Sequence, residues 1–283
     1  MASAKVVLGL AAASLAVATL SHRTLAEKGL PIARPAGAAR VVKVVGEDFR
    51  FDAPDIIPAG LTEFRFLNKG PSLHHMALLK LTDGKTVDDL RKALATQGPP
   101  PAWLHAMGGP NAPDPGSEAN VTMRLEPGNY ALICFVDLGG APHFTKGMIR
   151  PLRVVPAKNA SAGKVKSDAA IDLYDYGFKL SSPIRAGTRV FKVHNGGQQP
   201  HEVELVQLAP GASVSDFMNW LQKMDGPPPG KALGGVAGME VGMTQYFSAS
   251  LTPGNYALIC FLSDAKDGKP HFTHGMVQQI TVQ

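Results

Sequence analysis

Cys134 and Cys260 are the only two cysteines of this 283-residue chain, and each ends a copy of one string, PGNYALIC, followed by Phe135 or Phe261. A second string follows each: PHFTKGM from Pro142 to Met148 and PHFTHGM from Pro270 to Met276. Upstream, His74 and His201 match at an offset of 127, as do Asn68 and Asn195. Each half of the chain therefore supplies histidine, cysteine, histidine and methionine in that order. The sets are His74, Cys134, His143 and Met148, then His201, Cys260, His271 and Met276. A soft thiolate, two imidazoles and a weak thioether suit a mononuclear copper centre with three strong bonds and one long one.

Spacing permits this in both halves. Eight residues separate Cys134 from His143 and ten separate Cys260 from His271, while four lie between each second histidine and its methionine. At about 3.3 Å per extended residue, either loop can leave a strand end and fold back over it. The loop changes length between the halves, yet cysteine, histidine and methionine stay in place. A Cys134–Cys260 disulfide would need equivalent strand ends of separate units to meet, whereas a ligand role explains one cysteine per half. The alternative is an inert buried thiol in each, with Met148 and Met276 as core fillers.

The elements that must position these groups read as short strands. Glu63–Asn68, His75–Leu81, Ala119–Leu125, Tyr130–Phe135 and Ile149–Val155 have strand character in the first half. A helix is expected from Thr86 to about Ala95 and another through Phe217–Met224. They open on Thr86-Val-Asp-Asp89 and Ser213-Val-Ser-Asp216, capping boxes with aspartate in the acidic position. Strand alternation puts His201, Val203 and Leu205 on one face and Glu202 and Glu204 on the other, which is expected to be the solvent side. The same parity turns His74, Met76 and Leu78 inward and His75 outward. Tyr130, Leu132 and Cys134 share a face, as do Tyr256, Leu258 and Cys260, so each cysteine ends a buried stripe. Short strands with frequent turn signals predict an all-β chain: two tandem Greek-key sandwiches, each with a short inserted helix.

Composition agrees, with 45% hydrophobic and 18% charged residues and ample glycine and proline as turn punctuation. The expected organisation is a first domain over 40–156, a linker rich in Ala, Lys, Ser and Gly over 157–167, and a second domain over 168–283. Residues 1–26 have the layout of a secretory signal: Lys5, an apolar run from Val6 to Leu20, and a small-residue exit ending at Ala26. That run is short for a membrane span, and an uncleaved anchor is the alternative. A periplasmic or secreted protein is expected. The formal charge of +5 includes Lys5 and Arg23 of this segment, and no clustered basic patch argues for nucleic acid.

With its ordered ligand set in each half, the chain resembles the cupredoxin, or blue copper, family over nearly all of its length after residue 26. The eight-residue gap after Cys134 is similar to that of the type 1 copper domain of copper nitrite reductases rather than the shorter gap of plastocyanins. The resemblance implies one copper per domain, held by the cysteine thiolate and two histidines with Met148 or Met276 as the long axial donor. It also implies one-electron transfer with a redox partner protein. Many family members carry Asn directly after the first histidine, where this chain has His75 and Glu202. A nitrite reductase would need histidine immediately before the cysteine, where Ile133 and Ile259 stand, and there is no His-X-His pair for a trinuclear cluster. An electron carrier rather than an enzyme is therefore expected. The alternatives are copper storage or delivery, or a metal-free binding module. His105, His194 and His274 lack a counterpart in the other half and read as loop or surface residues.

Overall fold

The computed structural model describes residues 39–96, 98–138, 140–158 and 163–283. The expected signal segment 1–26 and part of the expected linker lie outside the described residues. The first half contains β1 Arg40–Glu47, β2 Arg50–Asp52, β3 Ile56–Pro58, β4 Gly60–Asn68, β5 Ala77–Leu81, α1 Val87–Leu94, β6 Leu104–Ala106, β7 Glu118–Leu125, β8 Gly128–Ile133 and β9 Ile149–Val155. The second contains β10 Ala169–Tyr174, β11 Gly177–Leu180, β12 Gly187–Asn195, β13 His201–Leu208, α2 Val214–Lys223, β14 Gly230–Met239, β15 Thr244–Leu251, β16 Gly254–Ile259 and β17 Val277–Val282.

Strand order defines two sandwiches. In the first, β2-β1-β4-β7 faces β3-β9-β8-β5-β6; in the second, β11-β10-β12-β15 faces β14-β13-β16-β17. The chain changes sheet between β4 and β5 and again between β7 and β8, the crossovers that a Greek key requires. β1 runs parallel to β4, and β10 to β12. The first sheets of the two sandwiches join through β7 and β15 into one eight-stranded sheet, where Tyr246 lies opposite Thr122.

Alternation sets the cores as expected on one face. Phe64, Phe66, Leu78, Tyr130, Leu132 and Cys134 pack into the first sandwich, and Phe191, Val203, Leu205, Tyr256, Leu258 and Cys260 into the second. Both helices begin with the expected boxes. The Thr86 hydroxyl accepts the Asp89 N–H while the Asp89 carboxylate accepts the Thr86 N–H, and Ser213 and Asp216 repeat the exchange.

The opposite face departs from the expectation. Glu202 and Glu204 are each only 4% exposed and His75 only 8%. Parity does turn them away from the sandwich core, but that side is covered rather than wet. In the first half α1 lays Leu90 over Ala77, Leu79, Ala131 and Ile133. Between the halves, residues 107–113 run along β14 as a strap, pairing Met107 with Met239, Pro110 with Val236 and Pro113 with Leu233. The strap closes over the start of β13, so the two glutamates meet backbone donors instead of water.

Candidate metal centres

The first histidine of each set stands at the entrance of a strand, on a loop shaped by the paired asparagines. Asn68 donates to the Ser72 and Pro113 carbonyls and accepts the Gly70 N–H. Asn195 does the same with Gln199, Met239 and Gly197. His74 precedes β5, which begins two residues later than expected, and His201 opens β13. Cys134 and Cys260 follow the last residues of β8 and β16. His143 and His271 each begin a one-turn 3-10 helix that ends on a left-handed glycine, Gly147 or Gly275. That glycine allows the chain to reverse and present the methionine.

Backbone bonds close the loop identically in both halves. Cys134 N–H donates to the Met148 carbonyl, Met148 N–H to the His143 carbonyl and Phe144 N–H to the Cys134 carbonyl; Cys260, Met276, His271 and Phe272 repeat all three. The two extra residues of the second loop are taken up before Pro270, where Asp264 holds them. Its carboxylate accepts from the Tyr176 hydroxyl at 2.6 Å, Gln199 Nε2 at 2.8 Å and Lys266 N–H at 2.8 Å. The Tyr176 hydroxyl, above all, holds that carboxyl well below the usual carboxylate range.

The donors converge. His74 Nδ1 lies 2.9 Å from His143 Nδ1, and Cys134 Sγ lies 3.6 Å from the same His143 atom. In the second sandwich His201 Nδ1 is 3.1 Å from His271 Nδ1, and Cys260 Sγ is 3.3 Å from it. Within each group the ligand atoms all lie within 4.8 Å of one another, and all six residues are buried. Met148 and Met276 are fully buried in the same core as the cysteines. Both cysteines are free thiols.

An aspartate orients the first imidazole of each group. Asp48 Oδ1 is 2.5 Å from His74 Nε2, and Asp175 Oδ1 is 2.6 Å from His201 Nε2. The Nε2 proton goes to the carboxylate, so the Nδ1 lone pair faces the other donors, as metal-ligating histidines require. Glycine makes room for this pair. A Cβ on Gly70 would overlap the His74 ring and the Asp48 carboxylate, and one on Gly197 would overlap Asp175 and His201. Phe49 then packs at a tilt against His143 and Tyr176 edge-on against His271, at centroid distances of 4.9 and 5.7 Å.

Electrostatics favour a soft cation over water here. Burial lowers the proton affinity of His74 despite Asp48, and lowers that of His143 and His271, which the neighbouring histidine of each pair depresses further. The shifts of these three imidazoles favour the neutral form that a metal binds. Burial pushes the Cys134 thiol up to about 12 and raises Cys260 as well, so a metal must displace the proton. His271 Nε2 is buried without a hydrogen-bond partner. Two nitrogens and a sulfur sharing one dry point are a copper-binding donor set, and there is one in each sandwich.

The aspartates and Gly70 and Gly197 escaped the sequence reading, although Asp48 and Asp175 keep the same offset of 127 as the histidines. His105 pairs with Glu240 and His194 with the Met243 carbonyl, both away from the donor groups. His274 lies beside Asp264 and Asp267 near the second loop. Those carboxylates are already used by the loop itself.

No family model and no curated protein matches the chain. Among solved structures, it is similar to a reduced auracyanin from Roseiflexus castenholzii, at 20% identity over 42% of this chain and 100% of that one, with a TM-score of 0.30. It is similar to a blue copper oxidase from Nitrosomonas europaea, at 15% identity over 87% and 86% of the two chains, with a TM-score of 0.25. A copper-containing nitrite reductase from Thermus scotoductus gives 11% identity over 86% and 61%, with a TM-score of 0.22.

Proposed function

We propose that the protein is an exported electron carrier with two type 1 copper centres, one in each sandwich. The observation that carries this is the convergence of two Nδ1 atoms and one Sγ at a buried point, made twice and each time oriented by an aspartate. His74, Cys134 and His143, together with Met148, would hold the first metal, and His201, Cys260, His271 and Met276 would hold the second. Copper supplies a one-electron couple between Cu(II) and Cu(I).

The chain's own part is to hold the donors still. Sheet-borne histidine and cysteine, the pinned 3-10 turn and the Asp48 or Asp175 bond keep a single arrangement for both oxidation states, which limits the reorganisation that slows electron transfer. Burial excludes water from the donor point. Ile133 and Ile259, immediately before the cysteines, are fully buried, and neither offers a nitrogen to a neighbouring catalytic metal. Export follows from the layout of residues 1–26. Among the described residues no helix is long and apolar enough to cross a membrane. On the loop between Cys134 and His143, Phe135 and Leu138 are exposed hydrophobics and offer a contact surface for a redox partner.

Copper loading followed by visible spectroscopy and reductive titration tests this. An intense thiolate-to-copper band that bleaches and returns reversibly is the expected result. Copper taken up only as Cu(I) and surrendered to chelators would replace the carrier with a storage role, and failure to bind copper would overturn the reading.

A further inference from the structure

The residues that follow the first histidine of each set, His75 and Glu202, are both buried and are not among the eight donors. Different in chemistry, they make the same bond. Phe135 N–H donates to His75 Nε2 at 2.9 Å, and Phe261 N–H donates to Glu202 Oε1 at 2.9 Å. Phe135 and Phe261 directly follow Cys134 and Cys260. Each side chain is therefore one peptide bond from a histidine donor and one hydrogen bond from the residue after the cysteine donor.

Asn111, on the strap between the sandwiches, stands between them. Its Oδ1 lies 3.3 Å from His75 Nδ1, and its Nδ2 donates at 3.4 Å to the carbonyl of Val203, the residue bonded to Glu202. The same Oδ1 accepts the Ala112 N–H at 3.0 Å. Donor directions agree along the line. Phe135 N–H occupies His75 Nε2, so the neutral ring carries its proton on Nδ1 and donates to Asn111 Oδ1; Asn111 Nδ2 then donates onward to the Val203 carbonyl. All three central side chains are buried. In such buried surroundings linked hydrogen bonds polarise one another.

We propose that Cys134–Phe135–His75–Asn111–Val203–Glu202–Phe261–Cys260, joined by hydrogen bonds and by the Val203–Glu202 peptide, is a conduit that carries electrons between the two metal centres within one molecule. This rests on the reading of both donor groups as copper sites. The step is an exchange: one centre loses an electron and is oxidised, the other gains it and is reduced, and no bond or proton is transferred. The conduit makes the halves a two-electron unit able to share a load that arrived at one end. Docking alone does not need it, because backbone pairs hold the strap to β14 and Asn120 bridges to Ser248 elsewhere on the seam.

The test compares Asn111→Leu, which cuts the conduit at similar volume, with Asn120→Leu, which cuts a bond across the same seam outside it. Asn111→Ala serves as a second cut should the leucine disturb folding. In the metal-free protein, Asn111→Leu should shift the amide NMR signals of both Phe135 and Phe261, and Asn120→Leu should leave them in place. Copper-loaded samples carry Met148→Leu to separate the two potentials, and one centre is reduced by a short pulse. The concentration-independent exchange between centres should then slow severalfold in Asn111→Leu with both visible bands kept, and stay unchanged in Asn120→Leu. Unchanged exchange in Asn111→Leu, equal slowing in both variants, or unmoved phenylalanine amides would each overturn the conduit alone. A parent protein without a thiolate band would instead overturn the copper reading, and the conduit with it.

Discussion

A thiol held at about 12 by burial keeps its proton at every physiological pH, so Cys134 becomes a ligand only when a cation takes the proton's place. Copper uptake should therefore release a proton from each site, and apparent affinity should rise with pH, as dye-monitored titration in weak buffer will show. Cys134→Ser and Cys260→Ser should each abolish the release and the visible band of their own sandwich, because a hydroxyl is a harder and less acidic donor. Orientation is a separate contribution. Asp48→Ala frees the His74 Nε2 proton from its 2.5 Å partner, and loss of such a bond costs about 10- to 100-fold in metal affinity. Competition with a chelator should show that loss at the first site only, with Asp175→Ala giving the mirror result. The histidines and cysteines that converge were legible because they repeat in order. Asp48 was not, since a carboxylate on the turn after β1 has no local pattern, and its partner lies 26 residues ahead.

Elements were legible where local chemistry decides them. The helix starts at Thr86 and Ser213 were visible as hydroxyl and acid three apart, and the structure makes both reciprocal bonds in each. Thr86→Ala and Ser213→Ala should each cost ~1 kcal/mol of stability and lower the melting temperature, while the copper band stays unchanged. The band is spared because α1 covers the outer face of β5 and β8 through Leu90, opposite the face that carries the donors. A thermal melt paired with a spectrum checks both halves of this expectation. Strand parity was legible too, but only as a distinction between two faces. What covers the second face comes from residues far away in sequence, α1 in one place and the strap in another. Glutamates on an alternating strand look like solvent-facing residues until those segments are placed.

At the scale of the molecule, joining two sandwiches turns part of their outer surface into interior. Glu204 is the clearest case: it accepts the Ala112 N–H from the strap at 3.0 Å and the Gly234 N–H from β14 at 3.2 Å, with the Glu202 carboxyl nearby. Burial, above all, and then Glu202 raise its carboxyl well above the ordinary value of 4.5, against the pull of the two amides. The sign follows from proton counting. Above 4.5 the unfolded chain gives up this proton while the folded chain keeps it, so the folded state binds more protons and stability falls as pH rises towards the folded value. Glu204→Gln keeps an acceptor oxygen for one of the two amides and removes the titration. The metal-free variant should therefore melt at a higher temperature than the parent at pH above neutrality, and the difference should shrink as pH approaches 4.5. Melting curves across that range decide it: a difference that stays constant with pH, or widens towards acid, would show that Glu204 carries its charge in the folded seam and that strap and strand close less tightly around it.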